Sequence, residues 1–363
     1  MTLSPSHASR RMACPGSHAL EALFPQDNSD HAQEGILAHK IAAETLRNNC
    51  YVSHPDETDE MREGAELYHG FVYSRLSATS KIFIEQPLDI SVIHPDCRGI
   101  PDCWTLLSDI ELDIFDYKFG HSFVEVYENW QLIEYAAGIL EYLQIDGMRD
   151  QHMWVNMHII QPRSFHPEGQ IRTWRMKACD LRPYFNRLRE SEYAALQPNA
   201  SCTPSPQCYN CAARHACVAL QAAAMDSVDV SYSAIPHNMA ARELSTELRT
   251  LEHAAARLKD RIAGLSAEAL AMISRGERLP HHHGERGRGR ERWSIPVEEV
   301  IELGELYGIE LRKPAAITPK QAAALASDVL TPERIRELSE TPIGELKLVP
   351  VDTRKTDKMF RST

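Results

Sequence analysis

The chain has 363 residues, 43% of them hydrophobic, and a formal net charge of −12. A chain of this length can bury a sizeable core, which predicts one large domain with a smaller addition. The negative charge argues against a protein that coats nucleic acid by bulk electrostatics, because that mode of binding needs Lys and Arg facing the phosphates. An enzyme with a local basic groove is still allowed, since sites that hold divalent cations collect carboxylates.

The N-terminal residues include arginines but no continuous apolar stretch of the signal-peptide kind, and no apolar run is long enough to span a bilayer. We therefore expect a soluble, cytoplasmic protein with no membrane partner. The nine cysteines are an odd number in a chain without an export signal. This argues against a disulfide framework and favours reduced thiols or metal ligands.

The first two thirds of the chain alternate between helical and extended patterns. Amphipathic helices are predicted over residues 29–49 and 56–78. β-Rich runs follow, the last two, PDCWTLL and IELDIFDYKF, separated by little more than a Ser-Asp turn, which predicts hairpin-connected strands.

The helical and extended patterns then alternate once more. NWQLIEYAAGILEYL has helical apolar spacing, and MWVNMHIIQPR returns to a strand pattern that stops at Pro162. Helix, strands, helix and strand in this order predict an α/β domain.

Beyond residue 217 the composition changes. Within the segment 223–280, Ala, Leu, Glu and Arg recur at helical spacing, which predicts a long helix or a helical hairpin. The run HHHGERGRGRER at 281–292 is typical of a basic, solvated linker. Short helical patterns such as VEEVIELGELYG and TPKQAAALASDVL predict a small helical region over 293–363.

A pair of carboxylates and a lysine stand out in the predicted hairpin. Asp102 begins one strand, and Asp116 and Lys118 lie near the end of the next. Residues two apart on a strand share a face, and the hairpin can bring Asp102 beside them. Such a group could bind a hard cation for phosphodiester hydrolysis. An isolated Asp-x-Lys is a weak signal, because a surface ion pair gives the same pattern.

Three further elements accompany that pattern in a fixed order. Gly35-x-x-x-His39 precedes it, Gly99-x-x-Asp102 opens the hairpin, and Gln131-x-x-x-Tyr135 follows on a helix. In this order the chain resembles the RecB-like branch of the PD-(D/E)XK nucleases. The resemblance implies a restriction-endonuclease-like α/β core over residues 1–222, with a mixed central sheet flanked by helices and a helical C-terminal extension.

The same resemblance implies roles for individual residues and a cofactor of Mg²⁺ or Mn²⁺. The metal ligands would be His39, Asp102, Asp116 and the Tyr117 carbonyl; the catalytic lysine would be Lys118; and the residues on the substrate side would be Gln131 and Tyr135. Alternatives are open. His39 can be a hydrogen-bonded helix histidine, and Gln131 and Tyr135 can simply share one helical face. Glu85 is interpreted as a solvated carboxylate in preference to an additional metal ligand.

The cysteines are clustered at two places. Cys208, Cys211 and Cys217 form a C-x2-C-x5-C array suited to a soft metal. The opening SHASRRMACPGS resembles that of the iron–sulfur RecB-like nucleases, in which one early cysteine joins three late ones. The resemblance therefore implies Cys14 as the fourth ligand of a [4Fe-4S] cluster.

A purely local zinc site is the rival interpretation of these cysteines. It would use Cys202 with the three late cysteines, since Zn²⁺ accepts four thiolates, but it leaves Cys14-Pro without a role. The remaining cysteines are interpreted as ordinary buried thiols. They are Cys50, Cys97, Cys103 and Cys179.

The most basic stretch of the predicted nuclease domain runs from Arg172 to Arg189, with Trp174 and Tyr184 interleaved. It predicts either a groove that tracks single-stranded DNA or a solvated helix surface. The closest resemblance is to a phage and prophage family catalogued as a domain of unknown function. We therefore expect a DNA exonuclease that acts on linear or single-stranded ends, with a phage recombinase or helicase as candidate partner. The alternatives are a non-catalytic DNA-binding or assembly subunit, a sequence-nonspecific endonuclease and a zinc-stabilised interaction protein.

Overall fold

The computed structural model describes residues 2–24, 30–164, 168–231, 240–288, 292–311, 331–340 and 343–350, together with residues 319 and 322. It separates into two compact units, residues 1–262 and 263–363. The helices are α1 (Ala8–Ala13), α2 (Ser17–Glu21), α3 (Asp30–Asn48), α4 (Asp59–Arg75), α5 (Trp130–Tyr142), α6 (Ala178–Ala195), α7 (Val218–Ser231), α8 (Ala241–Ser274), α9 (Val297–Leu306) and α10 (Pro332–Glu337). The strands are β1 (Lys81–Ile84), β2 (Leu88–Asp89), β3 (Arg98–Gly99), β4 (Cys103–Ser108), β5 (Glu111–Tyr117), β6 (Trp154–Ile160), β7 (Ile171–Lys177), β8 (His282–Arg288), β9 (Arg292–Trp293), β10 (Ser339–Glu340) and β11 (Ile343–Pro350).

The first unit is built on a five-stranded mixed sheet of order β1-β4-β5-β6-β7. Strands β5 and β6 are parallel, and the other neighbours are antiparallel. The predicted hairpin is present as β4 and β5, with Cys103 opposite Phe115. Helix α5 lies in the connection between β5 and β6, because parallel neighbours cannot be joined by a tight turn. The predicted mixed sheet with flanking helices is confirmed.

Helices cover both faces of this sheet. On one face Trp104 and Ile114 belong to an apolar cluster that includes residues of α5 and α6. On the other face Phe115 and Tyr117 pack with residues of α3 and α4. From Leu112 to Tyr117, strand β5 is therefore buried on both sides. The layers are helices, sheet and helices.

Two elements differ from the sequence-based prediction. The basic stretch that starts at residue 171 forms edge strand β7 before α6 begins. The predicted linker at 281–292 contains β8, which pairs antiparallel with β11. The sequence did not predict this strand, because main-chain pairing with a strand distant in sequence leaves little trace in local composition. Residue 29, where the first predicted helix starts, lies outside the described residues, as does most of TPKQAAALASDVL.

The second unit also contains the β9–β10 pair and α9. Its small apolar cluster consists of Val300, Leu311, Ala322 and Ile335. The sequence predicted a helical region over 293–363. The structure adds strand β11 there, so this region is not purely helical. None of the helices in the described part of the chain combines the length and apolarity needed to cross a membrane.

The N-terminal segment is tied into the first unit by a buried arginine. Arg11 is only 1% exposed, donates a hydrogen bond to the Ser4 carbonyl at 2.9 Å, and forms an ion pair with Glu192 of α6. Its other nitrogen lies 3.5 Å from a carboxylate oxygen of Glu134 on α5. One guanidinium therefore holds together α1, α5 and α6. Removing it would leave two carboxyl groups buried without a counter-charge.

The pKa of Glu134 is strongly perturbed by its buried position. Burial raises its pKa to about 8, and the nearby Glu192 acts in the same direction, while Arg11 and a hydrogen bond with Cys97 oppose the rise only in part. A carboxyl with a raised pKa binds its proton more tightly in the folded chain than in the unfolded one. Its contribution therefore lowers stability as pH rises from its unfolded pKa toward about 8.

We predict that Glu134→Gln flattens this pH dependence, because an amide of the same shape does not ionise. A single raised carboxyl can contribute up to about 1.4 kcal/mol of lost stability per pH unit. Urea unfolding at intervals between pH 5 and pH 8 measures the slope. Glu66→Gln, at an exposed position of α4, is the matched control and should keep the wild-type slope. Equal slopes for Glu134→Gln and wild type would contradict the prediction.

Candidate functional site

The pairing of β4 with β5 places two aspartates side by side. The pair Cys103 and Phe115 is the last of the β4–β5 register at this end, and the next residues outward are Asp102 and Asp116. One carboxylate oxygen of Asp102 accepts a hydrogen bond from the Tyr117 backbone N–H at 2.7 Å. The carboxylate of Asp102 is therefore fixed directly by the neighbouring strand.

Lys118 and Gln131 surround the second aspartate. The Lys118 Nζ lies 3.0 Å from Asp116 Oδ2 and 3.1 Å from Oδ1. It also donates to Gln131 Oε1 at 3.1 Å, while Gln131 Nε2 donates to Asp116 Oδ1 at 3.0 Å. Three side chains thus form a closed triangle of hydrogen bonds between the end of β5 and α5. The shared face predicted for Asp116 and Lys118 is confirmed.

Helix α3 adds a histidine from the opposite side. His39 Nδ1 lies 3.2 Å from Asp102 Oδ1, and the His39 ring packs edge-on against Tyr117 with the ring centres 5.3 Å apart. His39 is therefore a hydrogen-bonded helix histidine and also lies at the site. The first interpretation does not exclude a role as a metal ligand. An open cleft of about 560 Å³ adjoins it and is lined by His39, Lys118 and Gly35 among others.

Two cations on the wall of this cleft were missed in the sequence. Lys40 and Arg47 lie on the same helix as His39 and also line the cleft. Residues at i+1 and i+8 from a helical histidine fall on one side of the helix, so α3 itself carried the signal. Arg47 forms an ion pair with Glu85, which follows β1 with a positive φ of 47°. Glu85 is thus paired on the cleft wall, in keeping with its reading as a surface carboxylate.

The electrostatics of the four ionisable groups are unequal. Burial favours the neutral form of each group, and for Asp116 it wins: the pKa is raised, because Lys118 offsets the burial only in part and Asp102 repels. The pKa of Asp102 is lowered, because His39 and Lys118 outweigh burial. For Lys118 and His39 the neighbouring carboxylates outweigh burial and raise the pKa. Two adjacent carboxylates with divergent pKa values are typical of a site built for a cation or for acid–base chemistry.

The donor set fits a hard divalent cation. Within the ranges that the structure describes, no group of three or more His, Cys, Asp and Glu side chains is arranged to hold a metal ion. Mg²⁺ commonly uses one or two carboxylates, with water and substrate phosphates as its other ligands. Asp102 and Asp116 would supply those carboxylates, and the Tyr117 carbonyl lies on the chain between Asp116 and Lys118.

Tyr135 contacts the chain segment that precedes Asp102. Its side chain is 5% exposed, and its hydroxyl donates to the Ile100 carbonyl at 3.0 Å, two residues before Asp102. Gly99 lies directly under the ring: a Cβ there would come within 2.8 Å of Tyr135 Cε1 and of Pro5. The glycine of the G-x-x-D element is therefore required by close packing. Tyr135 is a positioning residue for the Asp102 segment, and Gln131 does the same for Asp116.

A second cluster gathers cysteines from both ends of the first unit. Five of them line one small cavity: Cys14, Cys202, Cys208, Cys211 and Cys217. Backbone N–H groups point at three of the sulfurs, from Thr203 to Cys14 at 3.2 Å, from Ser205 to Cys208 at 3.4 Å and from Leu220 to Cys217 at 3.5 Å. Such N–H donors are the groups that tune thiolate-bound iron–sulfur centres.

The other cysteines are scattered. Cys97 and Cys103 are buried in the apolar cores, as expected, whereas Cys50 is exposed and Cys179 is half-buried. The reading of all four as buried thiols was therefore wrong for Cys50, which lies in the turn after α3 where the helix has already left the core.

Half of the basic stretch is occupied by internal bonds. Arg172 is 3% exposed and donates to the Val124 carbonyl at 2.9 Å, Arg182 pairs with Asp150 at 2.7 Å, and Arg189 donates to the Val92 carbonyl at 2.9 Å. These three arginines stabilise the fold, so a groove formed by the whole stretch is contradicted. The remaining basic residues lie over aromatic rings: Arg175 and Lys177 over Trp154, and Arg187 over Trp130.

The fold and this site define a mixed α/β protein with a carboxylate–lysine cluster beside an open cleft. The chain belongs to the family described as "Protein of unknown function (DUF2800)", whose model matches residues 1–356. The expectation of a family of unknown function is confirmed. The match extends past residue 222, so the C-terminal region is part of what the family shares.

We predict that Gly99→Ala destabilises the chain by about 1–3 kcal/mol, because an added methyl group overpacks against Tyr135 and Pro5. Thermal unfolding measures the change. The matched control is Gly70→Ala on α4, where nothing lies within 4 Å of the added Cβ, and where alanine should be neutral or slightly stabilising. A Gly99→Ala chain as stable as the Gly70→Ala chain would show that the close approach is not a constraint.

Proposed function

We propose that this protein is a metal-dependent deoxyribonuclease. One observation carries the proposal: Asp102, Asp116 and Gln131, from separate parts of the chain, are hydrogen-bonded to His39 and Lys118, which line an open cleft. A structural ion pair needs neither the second carboxylate nor the cleft. Two carboxylates and an ammonium beside a cleft are groups that metal-dependent phosphodiester hydrolysis can use.

The residues divide the work by their chemistry. Asp102 and Asp116 would hold Mg²⁺ or Mn²⁺, which when bound lowers the pKa of a coordinated water and offsets charge on the phosphate. Lys118, anchored to Asp116, stabilises negative charge that develops on the phosphate oxygens. Gln131 is hydrogen-bonded to both Lys118 and Asp116 and so fixes their relative positions. His39 orients Asp102 and stands as a further ligand at the mouth of the cleft.

The arrangement supports placing the chain among the RecB-like PD-(D/E)XK nucleases. Each sequence element of that resemblance has a physical role here. Gly35 borders the cleft, with no atom within 4 Å of where its Cβ would be, and Gly99 allows Tyr135 to pack. His39, Asp102, Asp116 and Lys118 meet at one place. The contribution of four sequence elements to one cluster supports the resemblance.

The basic side chains that line the cleft would bind DNA through its phosphate backbone. Lys40 and Arg47 follow His39 on α3 and line the cleft, where the exposed Lys40 can contact a phosphate and Arg47 is paired with Glu85. Contacts of this kind neutralise phosphates without reading bases, and they weaken as salt rises. We therefore propose a nuclease without sequence specificity that acts on ends, in phage or prophage DNA replication or recombination.

We predict that Asp116→Asn and Lys118→Ala each lower DNA cleavage by at least about 100-fold, as expected when one charged group is lost from the stabilisation of a transition state. Release of acid-soluble nucleotides from labelled linear DNA with Mn²⁺ gives the rate. Asp109→Asn, in the exposed turn of the same hairpin, is the control and should cleave like wild type. Circular dichroism checks that each variant is folded. Wild-type rates from a folded Asp116→Asn chain would remove the site assignment.

We also predict that linear and single-stranded DNA with free ends is degraded much faster than closed circles. The sequence contains no helix-turn-helix or zinc-finger signal of a base-reading domain, so we expect recognition by shape and backbone charge. Time courses on end-labelled linear DNA, covalently closed duplex and circular single strands measure the preference. Short products released from an end support the exonuclease. Equally fast cutting of closed circles would identify a sequence-nonspecific endonuclease.

A further inference from the structure

A second groove adjoins the segment that leads into Asp102. It has a volume of about 640 Å³, and the residues that line it include Arg98, Gly99, Ile100 and Tyr135. The cleavage chemistry described above uses none of its open surface. The groove nevertheless begins only two residues before a proposed metal ligand.

The groove and the cleft lie next to each other along two parts of the chain. In the loop after β1, Glu85 lines the cleft and Pro87 lines the groove. The Glu85 N–H donates to the Asp102 carbonyl at 3.1 Å, so this loop is bonded to the aspartate segment. On α5, Tyr135 lines the groove one helical turn beyond Gln131, which is hydrogen-bonded to the aspartate–lysine cluster. The groove is therefore positioned to receive the part of a DNA strand that extends beyond the two aspartates.

The N-terminal segment forms one wall of the groove. Leu3 forms a parallel bridge with Cys97, and its carbonyl accepts a hydrogen bond from the Arg98 N–H at 3.2 Å. Ser4 and Ser6 line the groove, with their hydroxyl oxygens 2.9 Å apart. Serine hydroxyls are among the groups that contact phosphate and sugar oxygens of nucleic acid. This wall therefore offers polar groups that suit a nucleic-acid backbone.

An exposed arginine lies at the same groove. Arg98 on β3 is opposite Asp89 on β2, and both exposed side chains line the groove. Among the described residues, the Arg98 guanidinium has no ion-pair or hydrogen-bond partner. Arg98 is thus available to a phosphate, whereas the charge of Asp89 would weaken that contact by repulsion. Mutations at these two positions should therefore change DNA binding in opposite directions.

Ile100 adds an apolar side chain to the groove. It is 54% exposed, although its carbonyl is held by the Tyr135 hydroxyl at 3.0 Å. The backbone is therefore fixed while the side chain is left to solvent. Isoleucine is among the apolar residues that pack against bases in nucleic-acid complexes. A cation, hydroxyl groups and an apolar side chain on one groove match the phosphate, sugar and base of a single strand.

We propose that this groove binds the DNA strand next to the phosphate that is cleaved. Arg98 contacts a backbone phosphate, and Ile100 packs against an unpaired base. The substrate is therefore a single strand or the single-stranded end of a duplex, because paired and stacked bases do not offer a free face to Ile100. This binding role rests on the proposed nuclease function and assigns substrate contacts that the cleavage chemistry leaves open.

The first test measures binding separately from cleavage. Fluorescence anisotropy of a labelled oligo(dT) is recorded in EDTA at several salt concentrations, so that the DNA stays intact. We expect Arg98→Ala to weaken binding several-fold and to reduce the slope of log K against log salt by about 0.7, the value for one phosphate contact on a single strand. Asp89→Asn should bind more tightly than wild type. Arg257→Ala, at an exposed position of α8, is the control and should bind like wild type.

Wild-type affinity and salt slope in a folded Arg98→Ala chain would overturn the proposal. Weaker binding by a folded Asp89→Asn chain, or no oligo(dT) binding by wild type, would also overturn it. Cleavage by Asp116→Asn is scored separately. Failure of the nuclease assignment therefore appears as wild-type cleavage in that assay, and failure of the groove appears as unchanged binding in this one.

A second test uses the wild-type chain and so does not depend on whether a variant folds. Oligonucleotides that contain 4-thiothymidine are cross-linked to the protein by near-ultraviolet light, and the modified peptides are identified by mass spectrometry. We expect cross-links within residues 98–100, with a higher yield from single-stranded than from fully paired DNA. Cross-links confined to other segments, or equal yields from both kinds of DNA, would contradict the proposal.

Discussion

The pairing of β4 with β5 is the constraint on which the candidate site depends. Its register puts Asp102 beside Asp116, and the Tyr117 N–H that points back to Asp102 fixes the distance between the two strands. A shift of one residue would turn Asp116 to the other face of the sheet. The buried apolar residues of β5 prevent that shift, because they fill cores on both faces. The chemistry at the strand end is therefore held in place by hydrophobic packing along the whole strand.

Helix α5 links the candidate site to the N-terminal segment. One side of it presents Gln131 to Lys118, the ring of Tyr135 holds the Ile100 segment, and Glu134 faces the buried Arg11. These contacts link the cleft to the N-terminal segment, which also carries Cys14. A change at α1 can thus reach the site through a single helix. Buried ion pairs are costly to form, so their presence here is better understood as fixing one arrangement than as adding stability.

The N-terminal segment meets residues 202–217 at the cysteine cavity. Cys14 precedes the sheet, and residues 202–217 follow it, so any bond between them closes a long loop. Closing a long loop restricts the unfolded chain most, which is where a metal centre contributes most to stability. Backbone N–H groups of Thr203, Ser205 and Leu220 point at three of the sulfurs in this cavity. The cleft and the cavity are separate sites on one scaffold, so each can be tested without the other.

The sequence by itself determined the helices α3 and α5, the β4–β5 hairpin and the residues that converge on it. Those signals are local: apolar periodicity, a two-residue turn and motifs within a few residues of one another. Tertiary structure alone decided the rest. Arg172, Arg182 and Arg189 look like a nucleic-acid surface in the sequence, but each is bonded to a residue at least 32 positions away in the chain. Strand β8 looked like a linker because its partner lies near the other end of the second unit, and pairing of main-chain groups does not depend on side-chain type. The place of Cys202 beside Cys14 was likewise invisible, because no spacing rule relates two residues brought together only by the fold.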